Sequence, residues 1–172
     1  MAVNLHFPGT GKVGALMRVH DWSSSVLGDP SGWPVSLRST VRLTLNSKFP
    51  MFVAWGPALG FLYNDAYAEI LGNKHPLALG ARFQDIWQEI WPDISPIIDS
   101  ALQGHSSYYE DLPLVVERAG LPENAWFTFS YSRCMMMKVS SPECFVRLLR
   151  PPGPSGQSCA NSSSTWPTSS IP

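Results

Sequence analysis

The stretch that decides the fold is Phe49-Pro50-Met51-Phe52-Val53-Ala54-Trp55-Gly56-Pro57-Ala58-Leu59-Gly60-Phe61-Leu62-Tyr63-Asn64-Asp65. Two short apolar runs, 51–55 and 60–63, flank Gly56-Pro57 and stop at Asn64-Asp65. Runs of this length, rich in aromatic and β-branched residues and bounded by turn formers, predict strands joined as a hairpin. Asn64 or Asp65 then offers a side-chain oxygen to cap a short helix reaching about Leu71, with Gly72 as its stop.

Working outward, Leu37, Val41 and Leu45 recur at helical spacing after Trp33-Pro34, which predicts an amphipathic helix over 34–47 that ends before Pro50. Downstream, Ile94, Ile97, Ile98, Ala101 and Leu102 form the apolar stripe of a buried helix over 93–103, between Pro92 and Gly104. A strand-like stretch at 107–116 and a turn at Gly120-Leu121-Pro122 follow. In the run 125–132, Phe127, Phe129 and Tyr131 share one face with a period of two. The order helix, two strands, helices, further strands is an α+β plan: an antiparallel sheet with helices on one face.

The totals narrow the function classes. The 172 residues suffice for one domain with a real core. Hydrophobic residues make up 44% and charged residues 15%, and seven Trp, eight Phe and five Tyr are a heavy aromatic load. A net charge of -1 with no basic stripe argues against nucleic-acid binding. No run approaches the ~20 apolar residues needed to cross a bilayer, and the N-terminus lacks a signal-peptide pattern, so a cytoplasmic protein without membrane insertion is expected. Three zones stand out: a Gly-rich segment, 1–20, expected to be flexible; a punctuated domain, 21–132; and a tail, 133–172, expected to be largely disordered from Pro151 onward.

Few residues offer chemistry. Gly9-x-Gly11-x-x-Gly14 matches a dinucleotide fingerprint by letter, but Pro8 precedes it and no βαβ unit follows. His6, His20, His75 and His105 are scattered, and Cys134, Cys144 and Cys159 match no zinc or redox spacing, so no metal site is expected. Asp65 with Glu69, Asp85 with Glu89, and Glu110-Asp111 are the carboxylates available for acid–base work. None stands beside a nucleophile motif, so an enzyme ranks last. The informative group is Phe52, Trp55, Tyr63, Asn64, Tyr67, Trp87, Trp91 and Phe129, which either line a ligand pocket or fill a core.

Six pieces in order carry a resemblance. They are Asp21-Trp22-Ser23 with Gly32-Trp33-Pro34; Phe49 to Pro57; Leu62-Tyr63-Asn64-Asp65-Ala66-Tyr67 with Leu71-Gly72 and Lys74-His75-Pro76; Trp87-x-Glu89-Ile90-Trp91; Glu110-Asp111-Leu112-Pro113-Leu114; and Phe127 to Ser132. Over about 15–132 the chain resembles the N-terminal PAS domain of bacterial sensor histidine kinases and hybrid kinases. The resemblance implies a five-stranded antiparallel sheet, the 34–47 helix as an N-terminal cap, and a role as signal input to a two-component kinase. It also implies a homodimer or PAS–PAS partner, or a small-molecule ligand, for a domain acting alone. Flavin-binding photosensors of this family use a Cys in the helical region, and no Cys precedes residue 134; haem-binding members use a His on the long helix, and none lies in 93–103. The ligand is left open, with both cofactors counted against.

After Ser132 the resemblance stops. Met has a single codon, so Met135-Met136-Met137-Lys138, read one base out of step, gives Asp-Asp-Glu, the acidic turn the family places there. Residues 133–172 are therefore expected to be a frameshifted tail, with the fifth strand lost or replaced and the kinase core absent. A lost strand would expose unpaired backbone. Cys144-Phe145-Val146 and Leu148-Leu149 are apolar enough to make a substitute strand.

Overall fold

A computed structural model describes Phe7 and residues 11–118, 121–133 and 144–150. Its helices are α1 (Lys12–Val19), α2 (Val35–Asn46), α3 (Asp65–Leu71), α4 (Phe83–Ile86) and α5 (Trp91–Leu102). Its strands are β1 (Met51–Trp55), β2 (Gly60–Tyr63), β3 (Ser107–Arg118), β4 (Leu121–Arg133) and β5 (Cys144–Arg150). They form one antiparallel sheet in the order β2-β1-β5-β4-β3. This is the expected α+β architecture.

The two faces of β1 and β2 are covered by different elements. Phe52, Ala54, Phe61 and Tyr63 point to the side of α3, α4 and α5, where Phe52 meets Tyr67 and Phe83. Alternation then puts Val53 and Leu62 on the opposite face. Both are fully buried there, and α2, whose Leu37, Val41 and Thr44 are buried, is the element that packs on β1 and β2. The loop before α2 closes over the same face: a Cβ at Gly60 would lie 2.4 Å from Leu27 Cγ, so only glycine admits that approach. The cap helix thus sits across the sheet from α3, α4 and α5.

Two side chains tie this arrangement together. Asn64, 1% exposed, accepts from the backbone N–H of Met51 and of Tyr67. Its amide donates to the carbonyls of Thr44, Ser47 and Phe49. One residue therefore caps α3 and locks the exit of α2 onto β1. Gly72, at φ 53°, ends α3 in a conformation that other residues seldom adopt. Asp65 then reaches back to α1, its carboxylate accepting from Lys12 N at 3.0 Å and Val13 N at 2.6 Å.

Three expectations need correction. The segment 1–20 is not flexible throughout: 12–19 is helical, Val13 and Met17 are buried, and Phe7 packs in a ring cluster with Trp22 and Trp33. Weak periodicity hid this, because Asp65, fifty residues away, supplies the cap. The run named from sequence as a substitute strand, Cys144-Phe145-Val146 with Leu148-Leu149, does form β5, while the expectation of disorder from Pro151 onward lies outside the described residues, as do 134–143. With β5 paired to β1 on one side and β4 on the other, the expected unpaired edge is closed. The turn at Gly120-Leu121-Pro122 is also displaced, since Leu121 and Pro122 already pair with Arg118 and Glu117 in the hairpin ladder.

Candidate functional site

The helical face of the sheet gathers most of the aromatic residues singled out from sequence. Phe52 is at the centre, with ring centroids 5.1 Å from Phe61, 5.3 Å from Tyr67, 5.0 Å from Phe83 and 6.2 Å from Tyr131. The cluster runs on through Tyr131 to Phe129 at 4.7 Å and from Phe129 to Tyr109 at 5.3 Å. Each strand contributes alternate residues and each helix its apolar stripe, so the contacts follow from the two periodicities. The innermost space, between Phe52, Ala54, Leu59, Phe83, Ile98 and Tyr131, leaves no room for a water molecule.

The eight candidate residues divide. Phe52, Tyr63, Tyr67 and Phe129 lie in this cluster, at 0–1% exposure. Asn64 is buried in the lock between α2, β1 and α3, where its amide meets backbone groups only. Trp55 and Trp91 are partly buried at its edge, Trp91 against Phe83 at 6.2 Å. Trp87 belongs to a separate arrangement, with Lys74 Nζ 4.8 Å above its ring. That lysine also donates to Ile86 O at 2.6 Å and pairs with Glu89 at 2.5 Å. Sequence reasoning missed Phe61, Phe83 and Tyr131 as members of the cluster; the strand and helix periods that place their neighbours were the available signal.

One polar pair stands against the aromatic cluster. Tyr63, whose ring is buried, has its hydroxyl 2.8 Å from His75 Nδ1. Burial disfavours the phenolate and pushes the Tyr63 pKa well above its ordinary value of 10.0. The phenol therefore stays protonated at neutral pH, and its hydroxyl shares a hydrogen bond with His75 Nδ1.

Two of the other chemical candidates, Asp65 and Glu89, have structural partners. The carboxylate of Asp65 occupies the N-terminus of α1, the place where a phosphate bound by the Gly9–Gly14 segment would have to sit. Glu89 is engaged by Lys74. Among the described residues no cluster of His, Cys, Asp or Glu could hold a metal ion, and no helix is long and apolar enough to cross a membrane.

No protein-family model and no curated protein matches the sequence. Solved structures do. The crystal structure of the Rhodobacter sphaeroides LOV protein aligns at 16% identity with a TM-score of 0.52, over 72% of this chain and 71% of that one. The RsLOV d2 variant aligns at 15% with a TM-score of 0.53 over the same shares. LOV domains have the PAS-type fold, and that is the fold of this chain. No Cys precedes residue 134, so none of the described helices carries the cysteine expected of a flavin-binding member.

Proposed function

We propose that this PAS-type domain is a cytoplasmic signal-input module of the two-component type, which works by association through its sheet rather than by catalysis. The observation that carries this is the uncovered face of the β3–β4 hairpin. Tyr108, Val115 and Trp126 are 63%, 51% and 53% exposed there, and Pro113 pairs directly with Trp126. An apolar group of this kind on one sheet face is costly to leave in water and marks a docking surface. The occupant this reading commits to is a second PAS-type domain, in the simplest case another copy of this chain, presenting the same face about a two-fold axis. A signal would act by shifting the population of paired and unpaired forms, and a histidine kinase linked to either copy would read that shift.

The gap bounded by Phe52, Ala54, Leu59, Phe83, Ile98 and Tyr131 admits no water molecule, which supports association over the small-molecule reading at that point of the core. The out-of-step reading of residues 133–172 belongs to the same proposal. Sequencing the coding DNA from the Tyr131 codon onward tests it: a kinase reading frame opening after a single-base shift supports the two-component context, and a clean frame with none removes it.

Sedimentation of the full chain over a concentration series tests the association. The expected result is a reversible dimer that Trp126→Glu converts to a monomer with an unchanged far-ultraviolet spectrum. A wild-type chain monomeric at every concentration, or a dimer indifferent to Trp126→Glu, overturns the assignment of this face.

A further inference from the structure

The sheet face opposite α3, α4 and α5 is covered over only part of its width. α2 packs on β1 and β2, while β4 and β3 lie at the other end of the strand order. Phe127, Phe129 and Tyr131 share the side of the Phe52 cluster, so Trp126, Thr128 and Ser130 point to the α2 side. Tyr108 pairs with Ser130 and Pro113 with Trp126, and they share that direction. A helix with its side chains is about 10 Å thick. This face is therefore stepped: α2 stands above one half, and the bare β3–β4 surface lies below it on the other.

The two halves are both apolar in part and opposite in charge. Val35 and Leu43, 68% and 63% exposed, stand eight positions apart on the outward side of α2, and Phe49, just beyond its end, is 67% exposed. Every charged residue from 33 to 50 is basic: Arg38, Arg42 and Lys48. On β3 the bulge between Tyr109 and Leu112 exposes Glu110 and Asp111. Thr128 Oγ1 donates to the Asp111 carboxylate at 3.3 Å, which holds it on the bare side of the hairpin. Stacking one bare hairpin directly on another would bring these carboxylates together, whereas placing α2 on the hairpin joins opposite charges. A two-fold axis in front of the step sets the α2 of each copy over the bare hairpin of the other, and both contacts close in one operation.

Resting on the reading that this face pairs two copies, we infer that the copies interlock: α2 of one fills the step over β3–β4 of the other. The occupant of the bare hairpin is the second copy's α2. Its Leu43 side lies against Trp126, and its basic residues lie beside Glu110 and Asp111.

Sedimentation of the full chain in low salt tests this with two charge-reversed variants, each checked for an unchanged far-ultraviolet spectrum. Arg42→Glu with Lys48→Glu makes the α2 side acidic. Glu110→Lys with Asp111→Asn makes the bulge basic, and asparagine, like aspartate, accepts the left-handed backbone at 111, where φ is 50°. Alone, each variant should dimerise about tenfold or more weakly than wild type. Mixed one to one, they should form a heterodimer about as tight as the wild-type dimer, because both reciprocal contacts again join opposite charges. Added salt should shrink the difference. A dimer lost on Trp126→Glu but indifferent to the α2 reversal overturns the interlock and leaves association through β3–β4 standing. Mixed variants that stay as weak as either alone overturn it as well, and a wild-type chain monomeric at every concentration removes both readings. Should a reversal unfold the chain, Leu43→Glu takes its place, and a dimer no weaker than wild type then overturns the interlock.

Discussion

The β1–β2 and β3–β4 hairpins belong to one sheet and are built alike, yet they are buried differently. In β1–β2 every residue except Trp55 is buried, because α3 to α5 cover one face and α2 covers the other. In β3–β4 burial alternates: Leu114, Val116, Ala125, Phe127, Phe129 and Tyr131 are buried while Tyr108, Val115 and Trp126 face out. The sequences record this. Met51-Phe52-Val53-Ala54-Trp55 is continuously apolar, whereas Phe127-Thr128-Phe129-Ser130-Tyr131-Ser132 alternates. The pattern of a strand therefore reports how many of its faces are covered, and the half-covered hairpin is where Tyr108, Val115 and Trp126 stay exposed.

Breaking the covered half should have the larger effects. Phe52→Ala removes the ring at the centre of the cluster and should cost about 4 kcal/mol, measured by chemical denaturation. Asn64→Ala strips two backbone N–H groups and three carbonyls of a buried partner and should cost about 3 kcal/mol. A loss below about 1 kcal/mol would mean that water replaces the amide and that the lock is not closed. The comparison itself is sharpened by a matched pair of truncations on the face away from α5. Val53→Ala, under α2, should cost about 2 kcal/mol, and Val115→Ala, 51% exposed, should stay within about 0.5 kcal/mol. Equal losses at the two sites would show that α2 does not cover that face, or that a partner covers the other.

Much of this was legible in sequence where the information is local. The β1 and β2 bounds, the α3 cap at Asn64 and the Gly72 stop follow from turn chemistry and short apolar runs. The cap helix differs from the expected 34–47 by a residue at each end. What was not legible depends on distant partners. Nothing around Lys12 announces a helix whose cap is Asp65, and nothing in the 51–63 runs says which helix covers which face. Asn64 read as a candidate pocket residue because its five backbone partners, at 44, 47, 49, 51 and 67, meet only after folding. The aromatic group could not be assigned to pocket or core from composition, because both use the same residues; only the packing distances separate them.

The smallest effect expected is at the rim of the covered half, and it depends on pH. Tyr63→Phe removes the hydroxyl bonded to His75 and, at neutral pH, should cost about 1 kcal/mol, since His75 is accessible enough to regain a water. At alkaline pH the difference shrinks. Burial raises the Tyr63 pKa in the folded chain, whereas an unfolded chain ionises near 10. Above that value the unfolded state holds fewer protons than the folded one, so stability contributed below it is lost as pH rises. Phenylalanine has no proton to lose. The stability of Tyr63→Phe should therefore fall less steeply than wild type from about pH 10 upward, and the two curves should converge. Parallel curves in urea titrations at a series of alkaline pH values would mean that the Tyr63 ring is open to water, and that the rim beside His75 belongs with the exposed half of the sheet rather than the covered one.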